Sequence, residues 1–213
     1  MTTREGPRSE ASLPQSVPAV RAVVLVGFMG AGKTSVGRTL SKLLQWPFED
    51  LDDRIVKREG RAIEQIFGES GEAEFRLAER AALRELLAEL GQAQRVVALG
   101  GGAFAQPENA ALIEQSGVPT VFLDGSADEL YARCRQAGQA ERPLRRDVEQ
   151  FRQLYLARRP HYLKAALRVE TGGKTVEAVA AEVASRLGLR TWPGDDRTSP
   201  SSSADWAGYR DER

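Results

Sequence analysis

Apolar residues fall into two alternating kinds of segment along the 213-residue chain. Short unbroken runs, AVVLVG (22–27), VVAL (96–99) and TVFL (120–123), read as strands buried on both faces. FED (48–50) and LRVE (167–170) predict two shorter strands. Between these runs the apolar positions recur with helical spacing. Val36, Leu40, Leu43 and Leu44 stripe one side of a helix over 33–44. Residues 53–67 read as a helix broken at Gly60, and 72–90 as a long amphipathic helix stopped by Gly91. Further helices are predicted from near Pro107, over 127–135, over 148–157 with an end before Pro160, and over 175–187 between Thr175 and Gly188. The expected fold class is therefore α/β, a three-layer αβα arrangement around a five-stranded parallel sheet.

Both ends of the chain break this pattern. Residues 1–19 and 191–213 are rich in Ser, Pro and mixed charges, with too little apolar area to offset ordering entropy, and read as disordered extensions. Lys plus Arg and Asp plus Glu both number 30, so nothing in the net charge favours nucleic acid or an anionic membrane as partner. A single cysteine, Cys134, excludes an intramolecular disulfide and reads as a small packed hydrophobe. No apolar stretch reaches the roughly 18 residues that span a bilayer, and the polar start lacks a signal-peptide core. A cytoplasmic protein is expected.

Chemistry enters at GFMGAGKT (27–34), a G-x-x-x-x-G-K-[ST] loop placed between a predicted strand and a predicted helix. Its glycines let backbone N–H groups turn toward phosphate oxygens, and the helix start adds partial positive charge. Lys33 reaches the outer phosphates, and the Thr34 hydroxyl suits Mg²⁺. The chain is thus expected to bind a nucleoside triphosphate through Gly30, Ala31, Gly32, Lys33, Thr34 and Ser35. A guanine-reading Asn-Lys-x-Asp is absent from the sequence, which leaves a small phosphotransferase as the natural class.

Acceptor-site candidates follow. EDLDD (49–53) closes the second strand, and alternation along that strand is expected to put Asp50 and Asp52 on one side at the carboxyl edge of the sheet. One carboxylate would serve Mg²⁺ and the other a hydroxyl; the competing reading is a helix-capping acidic cluster. Gly100, Gly101 and Gly102 follow a buried run and read either as a hinge or as backbone facing a ligand. Arg76 reads either as a surface charge or as an anion contact. ERPLRRD (141–147) has the composition of a basic lid, and ARRPHY (157–162) offers Arg158 or Arg159 for a carboxylate or phosphate. His161 reads as structural.

Taken in order, GFMGAGKT, Asp50-Leu51-Asp52, GEAEFR (71–76), Gly100-Gly101-Gly102, Arg142-Pro143-Leu144 and R-x-P-x-Y (158–162) resemble shikimate kinases. The likeness runs from about Ala22 to Leu187. It implies a P-loop NTPase fold of the nucleoside monophosphate kinase group with a substrate-binding region and a lid. The chain then divides into the extension 1–19, a kinase domain over 20–190 with its lid at about 136–147, and the tail 191–213. The resemblance further implies transfer of the ATP γ-phosphate to the 3-hydroxyl of shikimate, with Mg²⁺ as cofactor, ATP and shikimate as partners, and a monomer. Residue by residue, it assigns Lys33, Asp52 and Arg142 to catalysis, with Arg142 also on the ATP phosphates. Thr34 and Asp50 are assigned to the metal. Asp52, Arg76, Gly100, Gly101, Gly102 and Arg158 are assigned to shikimate. Alanine at Gly101 is expected to harm shikimate binding more than stability. TGGKT (171–175) departs from the family pattern, so no adenine contact is assigned. Rival readings are a gluconate or nucleotide kinase of the same fold, lacking a two-arginine carboxylate clamp, and a catalytically inert nucleotide-binding module.

Overall fold

A computed structural model describes residues 20–91, 93–136 and 147–192. The expected lid with Arg142, and most of the two extensions, lie outside these residues. Five strands form one parallel sheet: β1 (Ala22–Val26), β2 (Phe48–Asp50), β3 (Arg95–Ala98), β4 (Thr120–Asp124) and β5 (Leu167–Glu170). Their order is β2-β3-β1-β4-β5. Strand β1 is the central strand, and all five of its residues, AVVLV, are buried, as expected of a strand covered on both faces. It pairs with β3 from Ala22↔Arg95 to Leu25↔Ala98 and with β4 from Val24↔Thr120 to Val26↔Phe122.

Seven α-helices cover the sheet among the described residues: α1 (Lys33–Leu44), α2 (Leu51–Glu59), α3 (Ile63–Leu90), α4 (Pro107–Ser116), α5 (Ala127–Gln136), α6 (Val148–Tyr162) and α7 (Val176–Arg186). Helix α1 packs on α7, α3 on α2 and α4, and α5 on α6. Val36, Leu40 and Leu44 bury the stripe of α1 against the core. None of these helices is long and apolar enough to cross a membrane.

Two of the expected helix ends change and two hold. The helix expected from residue 53 starts at Leu51, because the Asp50 carboxylate accepts the Asp52 N–H and caps α2. The two helices expected to either side of residue 70 are present, the first from Ile63 and the second ending at Leu90, with Gly71 (φ 79°, ψ 177°) breaking the helical path between them. The long helix stops at Leu90 with Gly91 as its C-cap, as expected, though Gly91 has φ of −64° and not a left-handed conformation. Finally, α6 does not end before Pro160 but continues to Tyr162, which is fully buried. Cys134 is buried in the core.

Candidate active site

The turn from β1 into α1 shapes the floor of the site. Gly30 has φ of 80°, and a Cβ there would lie 2.5 Å from the Leu130 carbonyl oxygen, so only glycine fits. Gly32 caps α1 in a left-handed conformation without any side-chain hydrogen bond, which leaves the helix-start N–H groups directed at the loop. Phe28 is wholly buried and anchors the loop from below through edge contacts with Phe151 and Tyr155.

Lys33 Nζ donates to the carbonyls of Gly27 (2.9 Å) and Phe28 (3.0 Å). Burial lowers its pKa below the ordinary lysine value, while the Asp52 and Asp50 carboxylates pull the other way. The Thr34 hydroxyl donates to Asp50 Oδ2 at 2.9 Å, so the two groups expected at a metal are adjacent. A hydroxyl beside a carboxylate at a phosphate-binding loop is a hard-oxygen pair suited to Mg²⁺, which keeps waters and phosphate oxygens as its other ligands. Among the described residues no group of three or more His, Cys, Asp and Glu converges that could hold a metal ion.

Asp50 and Asp52 both face this region, but not by strand alternation. Asp50 ends β2, while Asp52 belongs to the first turn of α2. Asp50 is also the helix cap that the competing reading anticipated, so one carboxylate is both cap and Thr34 partner.

A cavity of about 540 Å³ takes in the loop from Met29 to Val36, Asp50, Asp52, and the backbone from Leu99 to Gly101. It extends to Arg133, Thr171 and Lys174, from α5 and the segment between β5 and α7. Arg133 is held there by Thr171, donating to its hydroxyl at 3.0 Å and its carbonyl at 2.9 Å.

Beyond Gly101 the glycine triplet meets the arginines. A Cβ on Gly102 would stand 3.1 Å from both Arg76 terminal nitrogens and 3.4 Å from Arg158 Nη2. A Cβ on Gly100 would stand 2.6 Å from Asp52 Oδ1. At Gly101 the nearest atom, Met29 N, would be at an ordinary 3.5 Å. The structure thus brings Asp52, Arg76, Arg158 and the triplet together at one end of the P-loop cleft. Arg159 is not part of this group: its Nη2 donates to Asp124 Oδ2 at 2.7 Å. His161 lies half-buried in the last turn of α6.

Several site residues escape sequence reasoning. Glu79, almost fully buried, accepts from Arg76 Nη1 at 3.0 Å and from Asn109 Nδ2 at 3.4 Å. Burial raises its pKa against the opposing pull of Arg76. The available signal was a glutamate within the apolar stripe of Phe75, Ala78, Ala82, Leu83 and Leu86, three residues after Arg76. Tyr162 donates its phenol to the Gly101 carbonyl, and burial pushes that phenol up to about 12. Arg133 carried no signal beyond being a basic residue in a helix.

The shikimate kinase family profile matches residues 29–188. A shikimate kinase from Geobacter metallireducens is 41% identical over 182 residues, covering 84% of this chain and 97% of the relative. One from Geobacter sulfurreducens is 43% identical over 173 residues, with coverages of 79% and 92%. Among solved structures, shikimate kinase from Acinetobacter baumannii in complex with shikimate superposes with a TM-score of 0.71 at 32% identity, covering 79% of this chain and 93% of that one. A P-loop between strand and helix, continued by glycines into a pair of arginines, is thus accompanied by similarity along almost the whole described fold, and the chain belongs to the shikimate kinase family.

Proposed function

We propose that this shikimate kinase transfers the γ-phosphoryl group of MgATP to the 3-hydroxyl of shikimate, yielding ADP and shikimate 3-phosphate. The observation that carries the reading is the meeting of Asp52, Arg76 and Arg158 around the glycine triplet at the end of a P-loop cleft. Two convergent guanidinium groups suit a carboxylate, and a carboxylate beside Lys33 suits an alcohol acceptor. A gluconate kinase of this fold also meets a carboxylate acid, so the choice of shikimate as acceptor rests on the family match and on the shikimate kinase relatives.

Phosphoryl transfer depends on alignment and charge neutralisation, since the transition state spreads negative charge over oxygens. The helix-start amides of α1 and the Lys33 ammonium receive the phosphates, and Lys33 leaves its loop carbonyls to do so. Thr34 and Asp50, hydrogen-bonded to each other, would hold a magnesium ion, which would neutralise phosphate charge. Asp52 Oδ1, beside Gly100, orients the acceptor hydroxyl and takes its proton as the bond to phosphorus forms. Arg76, kept in place by Glu79 and Glu72, and Arg158, lying over Phe28, clamp the acceptor carboxylate. The nucleoside occupies the part of the cleft lined by Arg133, Thr171 and Lys174. By resemblance Arg142 joins the phosphates, and the domain division into extension, kinase domain with lid, and tail is retained.

The test is ADP release measured with and without shikimate. Shikimate-dependent turnover that Lys33→Met abolishes supports the assignment. Turnover independent of shikimate, or faster with gluconate, rejects it.

A further inference from the structure

Arg158 and Arg159 are neighbours on α6, so their side chains leave the helix about 100° apart. Arg158 turns to the cleft: its guanidinium lies 6.0 Å from the centroid of the Phe28 ring, and Nη1 points at the Gly101 carbonyl at 3.4 Å. Arg159 turns instead to β4, where Asp124 is buried at the strand end. The Asp124 carboxylate also accepts from Arg168 Nε at 2.8 Å, and the Tyr155 phenol approaches Oδ1 at 3.4 Å. Arg159 does not line the nucleotide cavity.

We propose that Arg159 is a positioning residue, whose ion pair with Asp124 fixes the rotation of α6 and thereby aims Arg158 at the acceptor carboxylate. This rests on reading Arg158 as half of the carboxylate clamp. The local backbone makes such a tether useful. Pro160 follows immediately and has no N–H, so Leu156 O lacks its usual partner in the very turn that carries both arginines. The other anchors of this face are rings, Phe151, Tyr155 and Tyr162 packed against Phe28 and Phe122, and two neutral phenol bonds, from Tyr155 to the Gly125 carbonyl at 3.0 Å and from Tyr162 to the Gly101 carbonyl. Apolar packing has no directional preference and tolerates a small roll of the helix, whereas a 2.7 Å charge-assisted bond does not. A buried ion pair is weak evidence for stability in itself, because desolvation offsets attraction. What the pair supplies here is one defined angle for the next side chain.

Arg159→Ala is a clean perturbation, since Asp124 keeps Arg168 and Tyr155 and no buried charge is orphaned. Steady-state kinetics and melting temperature of the full chain are compared for Arg158→Ala, Arg159→Ala, Arg159→Lys and the double alanine variant. Arg159→Ala is expected to lower kcat/KM for shikimate roughly fivefold through KM, with ATP KM within about twofold. Arg159→Lys recovers part of the loss. In the Arg158→Ala background, Arg159→Ala has no further effect, because its only route to the substrate is gone. The inference falls if Arg159→Ala leaves shikimate KM unchanged, if it costs as much with Arg158 absent, or if ATP KM rises equally alongside a lowered melting temperature. If Arg158→Ala leaves shikimate KM unchanged, the clamp reading falls too; if only Arg159→Ala is silent, the clamp stands and the positioning role alone is refuted.

Discussion

Alanine at Gly100 separates a substrate-facing backbone from a structural one. The new Cβ would stand 2.6 Å from Asp52 Oδ1, and ordinary contact begins at 3.4 Å, so the carboxylate must move about 0.8 Å. It is the tip of a side chain on the first turn of α2, so it yields while the backbone stays in place. Gly100 does not have a positive φ, and the substitution introduces no backbone strain. The fold therefore survives while the aligning carboxylate is misplaced. Misplacement on the order of 1 Å costs about a hundredfold, so kcat is expected to fall roughly 30- to 100-fold, ~2–3 kcal/mol in the barrier. At Gly102 the Cβ would press on Arg76 at 3.1 Å, a smaller conflict aimed at the clamp. There shikimate KM should rise roughly three- to tenfold with kcat nearly kept. Gly101→Ala, which sequence alone marked as the informative substitution, meets only Met29 N at 3.5 Å and should behave almost as the parent. Coupled ADP-release kinetics, with a thermal melt of each variant, give the ranking. Equal kcat losses at Gly100 and Gly101, or losses that track melting temperature, would refute the reasoning.

Asp52→Asn should lower kcat by about 10²–10⁴ with shikimate KM little changed, whereas Arg76→Ala should raise shikimate KM about 10- to 100-fold; inverted phenotypes would exchange their roles. Asp50→Asn keeps an N-cap acceptor for Asp52 N–H, so melting should barely shift while the Mg²⁺ concentration for half-maximal rate rises; an unchanged magnesium dependence removes Asp50 from the metal. Lys33 must be protonated to neutralise phosphate, and burial lowers its pKa, so kcat/KM for ATP should decline on the alkaline side below lysine's ordinary value. The same shift means the unfolded chain holds more protons across that window, so this group adds stability as pH rises through it. A pH–rate profile whose alkaline limb begins only at the ordinary lysine value would contradict the first of these.

Much of the scaffold was legible because its signals are local. The bounds of α1, β2 and β5 follow from the apolar stripe of Val36, Leu40 and Leu44 and from short runs bounded by polar residues. Gly30 and Lys33 were legible because phosphate binding imposes both identity and spacing. What failed depended on distant partners. Alternation along β2 presumed that the strand continues, whereas Asp50 ends it by capping α2. A proline normally ends a helix, but Tyr162 and Arg159 hold α6 through Gly101 and Asp124, residues 61 and 35 positions away. The R-x-P-x-Y spacing singles out Arg158, but that Asp124 takes up Arg159 is not readable around ARRPHY, because the partner lies 35 residues away. Glu79 and Asn109 meet across 30 residues, and only the folded chain shows that they support Arg76.

The central place of β1 has a kinetic side. Its neighbours β3 and β4 begin at Arg95 and Thr120, so the strand that delivers the P-loop gains neither partner until the chain has grown far beyond it. During synthesis the AVVLV segment emerges before either partner: its β3 edge stays open until β3 is complete at Ala98, and its β4 edge until Asp124. Pairing over such separations must first overcome loop-closure entropy, which slows folding. The nascent chain thus carries an aggregation-prone apolar strand ahead of its partners, and nucleotide binding cannot assist until the sheet has closed around it. ATP would act on this protein as a late-stage folding ligand, one that stabilises the finished sheet without guiding its assembly.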